Sequence, residues 1–156
     1  MPERLRRLDS LFERSPIYFV TACTENRRHL LADRALHDVF GQFAEAASDH
    51  GAWVGAYVLM PDHFHLFVAL DDERLTLSDW IKSLKGTVSA RLRTTAIGPP
   101  YWQKGFLDHV LRSEESYSQK WYYVRENPVR AGLASRWQDW PYTGEIFDLD
   151  YRADQS

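Results

Sequence analysis

A chain of 156 residues with 44 % hydrophobic and 14 % aromatic side chains is sized for one domain around one core. Cys23 is the sole cysteine, which excludes an intrachain disulfide and a multi-cysteine zinc site and fits a reducing compartment. The formal charge of −3 is unevenly divided: residues 137–156 carry Asp139, Glu145, Asp148, Asp150 and Asp154 against Arg152, a net of −4, and removing that from −3 leaves residues 1–136 at +1.

No apolar run approaches the roughly 20 residues that cross a bilayer. The N-terminal Met-Pro-Glu-Arg-Leu-Arg-Arg leads into no signal-peptide stretch. A cytoplasmic protein without a membrane partner is therefore expected. Residues 1–15 read as a basic arm, with Arg4, Arg6, Arg7 and Arg14 among Glu3, Asp9 and Glu13. Pro16 then opens a β-branched and aromatic run over 17–24, a first strand, and Glu25-Asn26-Arg27-Arg28 reads as a polar turn. Leu36, Val39, Phe40, Phe43 and Ala47 recur at helical spacing between about Asp33 and His50, with Gly51 placed as a C-cap.

Residues 52–60 and 63–70 are strand-like runs joined by Pro61-Asp62, a hairpin in the middle of a sheet. A second helix follows, with Leu77, Trp80, Ile81, Leu84, Val88 and Leu92 as its apolar stripe and Lys82, Lys85, Ser89 and Arg93 on a neighbouring polar face. Lys82, Lys85, Arg91 and Arg93 stand together with no acid between them, a pattern that fits either a solvated helix face or a phosphate-binding one. Gly98-Pro99-Pro100 breaks the chain, and 105–112 reads as a fourth strand.

Ser113 followed by Glu114 and Glu115 predicts the start of a third helix that runs to about Asn127, where Pro128 limits it. Residues 143–156 read as an acidic tail. The pattern is α+β: an antiparallel sheet of about four to five strands with helices packed on it, similar to a ferredoxin-like arrangement.

Two constellations carry chemistry. In His63-Phe64-His65, residues two apart in a strand share a face, so the imidazoles project together while Phe64, Leu66 and Val68 enter the core. Two neutral imidazoles form half of a metal site; the pair equally fits two half-buried edge histidines bonded to backbone carbonyls. Asp62 is a candidate further ligand or a turn residue with a purely local role. On the third helix, Tyr117, Trp121 and Val124 form the core stripe. Tyr123 falls on another face, with Gln119, Lys120 and, one turn later, Asn127. Tyr122 is its rival, placed beside Ser118 and Glu126. A phenol becomes a useful nucleophile only where its proton can leave and its target is polarised.

The segment Tyr-Val-Leu-Met-Pro-Asp-His-Phe-His-Leu-Phe-Val (57–68), then Tyr-Val-Arg-Glu-Asn-Pro-Val-Arg-Ala-Gly-Leu (123–133) about 55 residues on, and Asp-Trp-Pro-Tyr (139–142) resemble the single-tyrosine HUH transposases. The likeness extends from about Tyr18 to Tyr142 and is greatest to the REP-associated tyrosine transposases, relatives of the insertion-sequence-200-like enzymes. The resemblance implies an HUH-nuclease fold in which His63 and His65 bind a divalent ion, Mg²⁺ or Mn²⁺, and Tyr123 is the nucleophile. It matches Asn127 to a further polar metal ligand; Asn127 before a proline also fits a helix end. Many relatives carry Asn at the position of Asp62.

The implied activity is cleavage of single-stranded DNA folded into palindromic-repeat hairpins, through a 5′-phosphotyrosine link that a 3′-hydroxyl can reverse. Candidate DNA contacts are Arg4, Arg6, Arg7, Arg27, Arg28, Lys82, Lys85 and Arg93, with Trp102 and Trp140 as candidate stacking platforms. A monomer is expected over a homodimer, and a cytoplasmic, nucleoid-associated location. Two other functions remain open: a catalytically silent hairpin-binding protein, and a metal-dependent phosphodiesterase that uses water.

Overall fold

The computed structural model describes residues 16–111 and 117–149. The basic arm with Arg4, Arg6 and Arg7, the expected helix cap at Ser113 and the last residues of the acidic tail lie outside them. The described residues form strand β1 (Ile17–Cys23), helix α1 (Arg34–Ala47), strands β2 (Ala52–Leu59) and β3 (His63–Leu70), helix α2 (Leu77–Leu92), strand β4 (Leu107–Val110), helices α3 (Tyr117–Val124) and α4 (Asn127–Arg130), and strand β5 (Thr143–Glu145). The sheet runs in the order β4-β1-β3-β2-β5, antiparallel throughout. Its first four strands reproduce the expected ferredoxin-like arrangement. Among the described residues, no helix is long and apolar enough to cross a membrane.

Local chemistry sets the element ends. Asp33 caps α1 by accepting from the Ala35 N–H at 2.7 Å, and Gly51 closes that segment in the left-handed region at φ 97°. Thr76 caps α2 by accepting from the Asp79 N–H. One face of the sheet is covered by α1 and α2: Leu36, Phe40 and Ala44, with Trp80, Ile81, Leu84 and Val88, pack on Val20, Val54, Phe64, Leu66 and Val68. On the opposite face, Tyr117 and Trp121 of α3 meet Ile17, Phe19, Phe67 and Ala69. Helices thus lie on both sides, with α3 on the side to which odd-numbered residues of β3 point.

A bulge in β2 anchors α3. The pairing of β2 with β3 shifts between Val54 and Tyr57, leaving Gly55 and Ala56 opposite one partner. The Tyr117 hydroxyl enters this gap and accepts the buried Ala56 N–H at 2.6 Å. A side chain at residue 55 would collide with it, since a Cβ there would stand 2.5 Å from the Tyr117 oxygen.

Three sequence expectations change. Helix α3 ends at Val124 rather than near Asn127, because Pro128 has no N–H to continue the ladder; the chain tightens through Arg125 and Glu126 and restarts as α4, with Pro128 in its first turn. The fourth strand is shorter than 105–112, spanning Leu107–Val110 as an exposed edge. Residues 143–149 are no tail: β5 pairs with β2, the Phe147 N–H donates to the Val54 carbonyl at 3.0 Å, and Phe147 and Leu149 are buried among Trp53, Ala56 and Phe67. That burial outweighs the segment's net acidity.

Candidate functional site

The site forms where the α3 side of the sheet runs out of hydrophobic cover. Along β3, Phe67 and Ala69 are buried beneath α3, whereas His65 and His63, further toward the hairpin, are half-buried. The two imidazoles stand edge to face with ring centroids 4.8 Å apart. His65 lies across β1 from Thr21 and stacks on Phe19 at 5.3 Å. Its Nδ1 is 2.7 Å from the Thr21 hydroxyl oxygen. Burial, helped by the nearby charges of His63, Lys120, Arg130 and Arg27, pushes the His65 pKa down to about 3, so this ring is neutral at physiological pH and keeps a lone pair.

His63 is fixed by charge. Its Nδ1–H donates to Asp62 Oδ1 at 2.7 Å, while Asp62 Oδ2 accepts from Arg27 Nε at 2.9 Å. Burial works to raise the Asp62 carboxyl, but the hydrogen bonds from Arg27 and His63 outweigh it and hold that group below the ordinary carboxylate value. The Asp62 contact thus fixes the orientation of the His63 ring. In His65, donation of Nδ1–H to the Thr21 hydroxyl would leave Nε2 as the free lone pair. Both oxygens of Asp62 are therefore engaged in orienting its neighbours.

Arg27 reaches Asp62 from a turn in which Asn26 and Arg27 both adopt φ 54°. A left-handed non-glycine residue costs on the order of 1–3 kcal/mol, and here the conformation returns the guanidinium toward β1, where it also donates to Cys23 Sγ at 3.4 Å. Thr24, fully buried, ties the turn down by donating to the Arg28 and Asp62 carbonyls.

Helix α3 reaches this cluster through Lys120, which lies over the Phe19 ring on which His65 stacks. Tyr123 is 68 % exposed, off the core stripe of buried Tyr117 and Val124. The Arg130 guanidinium lies over its ring, 4.0 Å from the centroid, donates to the Tyr123 carbonyl at 2.8 Å, and donates to Asn127 Oδ1. The charges of Arg130 and of Lys120, whose Nζ sits 4.9 Å over Phe19, are both felt at His65. Tyr122 is tied elsewhere: Arg125 lies between its ring and that of Trp137, at 4.4 and 4.1 Å.

Several predicted site residues have other duties. Asn127 has its side-chain oxygen engaged by Arg130. Lys85, expected on a DNA-binding face, is half-buried and donates to the Gln103 and Gly105 carbonyls at 3.1 and 2.6 Å, because the loop before β4 folds back onto α2. Arg28 donates to the Gly98 and Pro100 carbonyls, and Arg27 is taken by Asp62. Lys82 and Arg93 remain exposed on α2. The suggested stacking platforms are built into the protein: the Trp102 indole N–H donates to Lys85 and Ser89, and the buried Trp140 donates to the Leu59 carbonyl. Sequence reasoning passed over Arg130 and Thr21. The first lies seven residues beyond Tyr123, past the break at Arg125 and Glu126; the second shows only in the strand register.

Among the described residues, no group of three or more His, Cys, Asp or Glu side chains could hold a metal ion. The charges of Arg27, Lys120 and Arg130 all act on His65, and among the described residues Asp62 is the carboxylate paired at His63 and Arg27. A dication added there needs further negative charge, of the kind a phosphate backbone brings.

Comparison with known proteins supplies the context. The family model described as "Transposase IS200 like" matches residues 15–127. A REP-associated tyrosine transposase of Escherichia coli K12 is 25 % identical over 127 residues, covering 81 % of this chain and 74 % of that protein. A Haemophilus influenzae relative named for the same group is 22 % identical over 153 residues, covering 92 % and 86 %. A solved REP-associated tyrosine transposase bound to a REP hairpin shares the fold with a TM-score of 0.69, at 22 % identity, over 82 % of this chain and 75 % of that one.

Proposed function

From the premise that this chain belongs to the IS200-like transposase family, we propose that it cuts and rejoins single-stranded DNA hairpins through a covalent bond to Tyr123. The observation that supports this reading is a pair of adjacent imidazoles on β3 together with an exposed Tyr123 whose ring lies under Arg130, a cation whose charge also acts on His65.

The Tyr123 oxygen attacks a backbone phosphorus, the bond to the 3′-oxygen breaks, and that oxygen leaves with a proton as a 3′-hydroxyl. The phenolic proton passes to solvent, which the exposure of the ring allows. The 5′-phosphotyrosine retains the energy of the broken diester, so a DNA 3′-hydroxyl can reverse the step without ATP. His63 and His65 would hold a divalent ion through Nε2, oriented by Asp62 and Thr21. When bound, Mg²⁺ or Mn²⁺ neutralises charge on the phosphate oxygens. Exposed Lys82 and Arg93 contribute to holding the hairpin backbone, and a REP-like hairpin is the proposed partner because a relative of the same fold is bound to one.

The test is incubation of the full chain with a labelled pool of single-stranded DNA hairpins bearing random flanks, with Mg²⁺ or Mn²⁺, followed by a denaturing gel. A covalent protein–DNA adduct that disappears in Tyr123→Phe, with hairpin binding retained, is expected. Cleavage that survives Tyr123→Phe would instead assign the nucleophile to water, and binding without cleavage would make the protein a silent hairpin binder.

A further inference from the structure

The cation over Tyr123 pairs with no carboxylate among the described residues. Arg130 is exposed, and its Nη2 donates to the Tyr123 carbonyl and the Asn127 side chain. Its Nε and Nη1 have no partner among the described residues, and no carboxylate pairs with it there. Arg27, by contrast, is neutralised by Asp62, and Arg136 is paired with Asp139. The two bonds through Nη2 fix the guanidinium over the Tyr123 ring, while its charge reaches the His65 imidazole across the site. Arg130 is thus a cation held against the ring and backbone of Tyr123, with donors to spare.

We infer that Arg130 is a catalytic residue whose free guanidinium N–H groups bind the non-bridging oxygens of the scissile phosphate as it sits against Tyr123. This deepens the reading of Tyr123 as nucleophile and rests on it. A diester carries one negative charge; entry of the phenolate oxygen adds a second, shared among the phosphoryl oxygens and the departing 3′-oxygen before that oxygen takes up a proton. A guanidinium fixed beforehand by its bonds to Tyr123 and Asn127 needs no reorganisation as that charge develops. Arginine suits the task better than lysine because it keeps N–H donors for phosphate after spending others on its anchors. Arg130 would thus hold the phosphate from the tyrosine segment.

The test compares wild type, Arg130→Gln, Arg130→Lys and Tyr123→Phe on the randomised hairpin pool. The rate of adduct formation is read with Mn²⁺, and the salt dependence of hairpin binding is read in EDTA. Arg130→Gln should slow adduct formation by about 10²–10³-fold. In EDTA it should lower the log–log salt slope by about one, as expected for the loss of one phosphate contact. Arg130→Lys should restore the salt slope and part of the rate. An Arg130→Gln protein that forms adduct within about threefold of wild type with an unchanged salt slope overturns the assignment while leaving Tyr123 intact. Absence of adduct from wild type, or its persistence in Tyr123→Phe, overturns the nucleophile and Arg130 with it.

Discussion

Substitution of Gly55 by alanine tests how the tyrosine-bearing helix is held. The added Cβ would stand 2.5 Å from the Tyr117 hydroxyl oxygen and 2.7 and 2.9 Å from Cδ1 and Cγ of Leu149, itself fully buried. Overpacking of this kind costs about 1–3 kcal/mol. If Tyr117 retreats to relieve it, the buried Ala56 N–H loses its acceptor, which costs a further 1–3 kcal/mol or so. Gly55→Ala should therefore destabilise the chain by about 2–6 kcal/mol in urea unfolding monitored by tryptophan fluorescence. Tyr117→Phe should cost only the second part, about 1–3 kcal/mol, because its ring keeps the 4.5 Å contact with Phe67. Both substitutions act on one hydroxyl, so the double variant should fall short of the sum of the singles by at least about 0.5 kcal/mol. Strict additivity, or a Gly55→Ala protein within about 0.5 kcal/mol of wild type, would refute the anchoring of α3 in the bulge.

Further outcomes follow from the site. His65 has a folded pKa of about 3 against an unfolded value near 6.5, so the unfolded chain takes up the proton first as pH falls. Stability due to this group is present above about pH 6.5 and is lost on acidification toward pH 3. Between pH 7 and pH 5 the loss should be about 2 kcal/mol, absent from His65→Gln, and equal pH dependence in the two proteins would contradict the buried neutral imidazole. Asp62→Ala should weaken Mn²⁺ binding by about 10–100-fold in calorimetry, since His63 loses the acceptor that fixes its tautomer; unchanged affinity would remove Asp62 from the site. Lys82→Ala and Arg93→Ala should each lower the salt slope of hairpin binding by about one without changing stability. Lys85→Met should do the reverse, lowering the melting temperature and leaving the slope alone, and a fall in that slope would return Lys85 to the DNA surface.

The fold was legible where one periodicity dominated. The alternation in 63–70 and the stripe from Leu77 to Leu92 specified both element and face, and Phe64, Leu66 and Val68 are buried as that alternation requires. It failed where a short segment gained its structure from partners far away in sequence. Thr143–Glu145 is too short to show a period, and residues 143–149 are held by β2 and by the burial of Phe147 and Leu149. The site was partly legible for the same reason. The strand period brings His63 and His65 together, and the helix period sets Tyr123 off the core. The bond of His65 to Thr21 depends on the pairing of β1 with β3, and that of Arg27 to Asp62 on a left-handed turn; neither leaves a local pattern. Basic residues were the least legible. Lys82 and Lys85 look alike in sequence, yet loop closure after α2 commits Lys85 to backbone carbonyls and leaves Lys82 exposed.

The account turns on which atom attacks the phosphate, and peptide mapping of the trapped adduct answers that most directly. After nuclease trimming, trypsin should release Trp121–Arg125, a peptide that holds both Tyr122 and Tyr123. Tandem mass spectrometry should then place a 5′-linked nucleotide phosphate on Tyr123. A nucleotide on Tyr122 or on any other residue, or cleaved DNA bearing a free 5′-phosphate with no modified peptide, would contradict it.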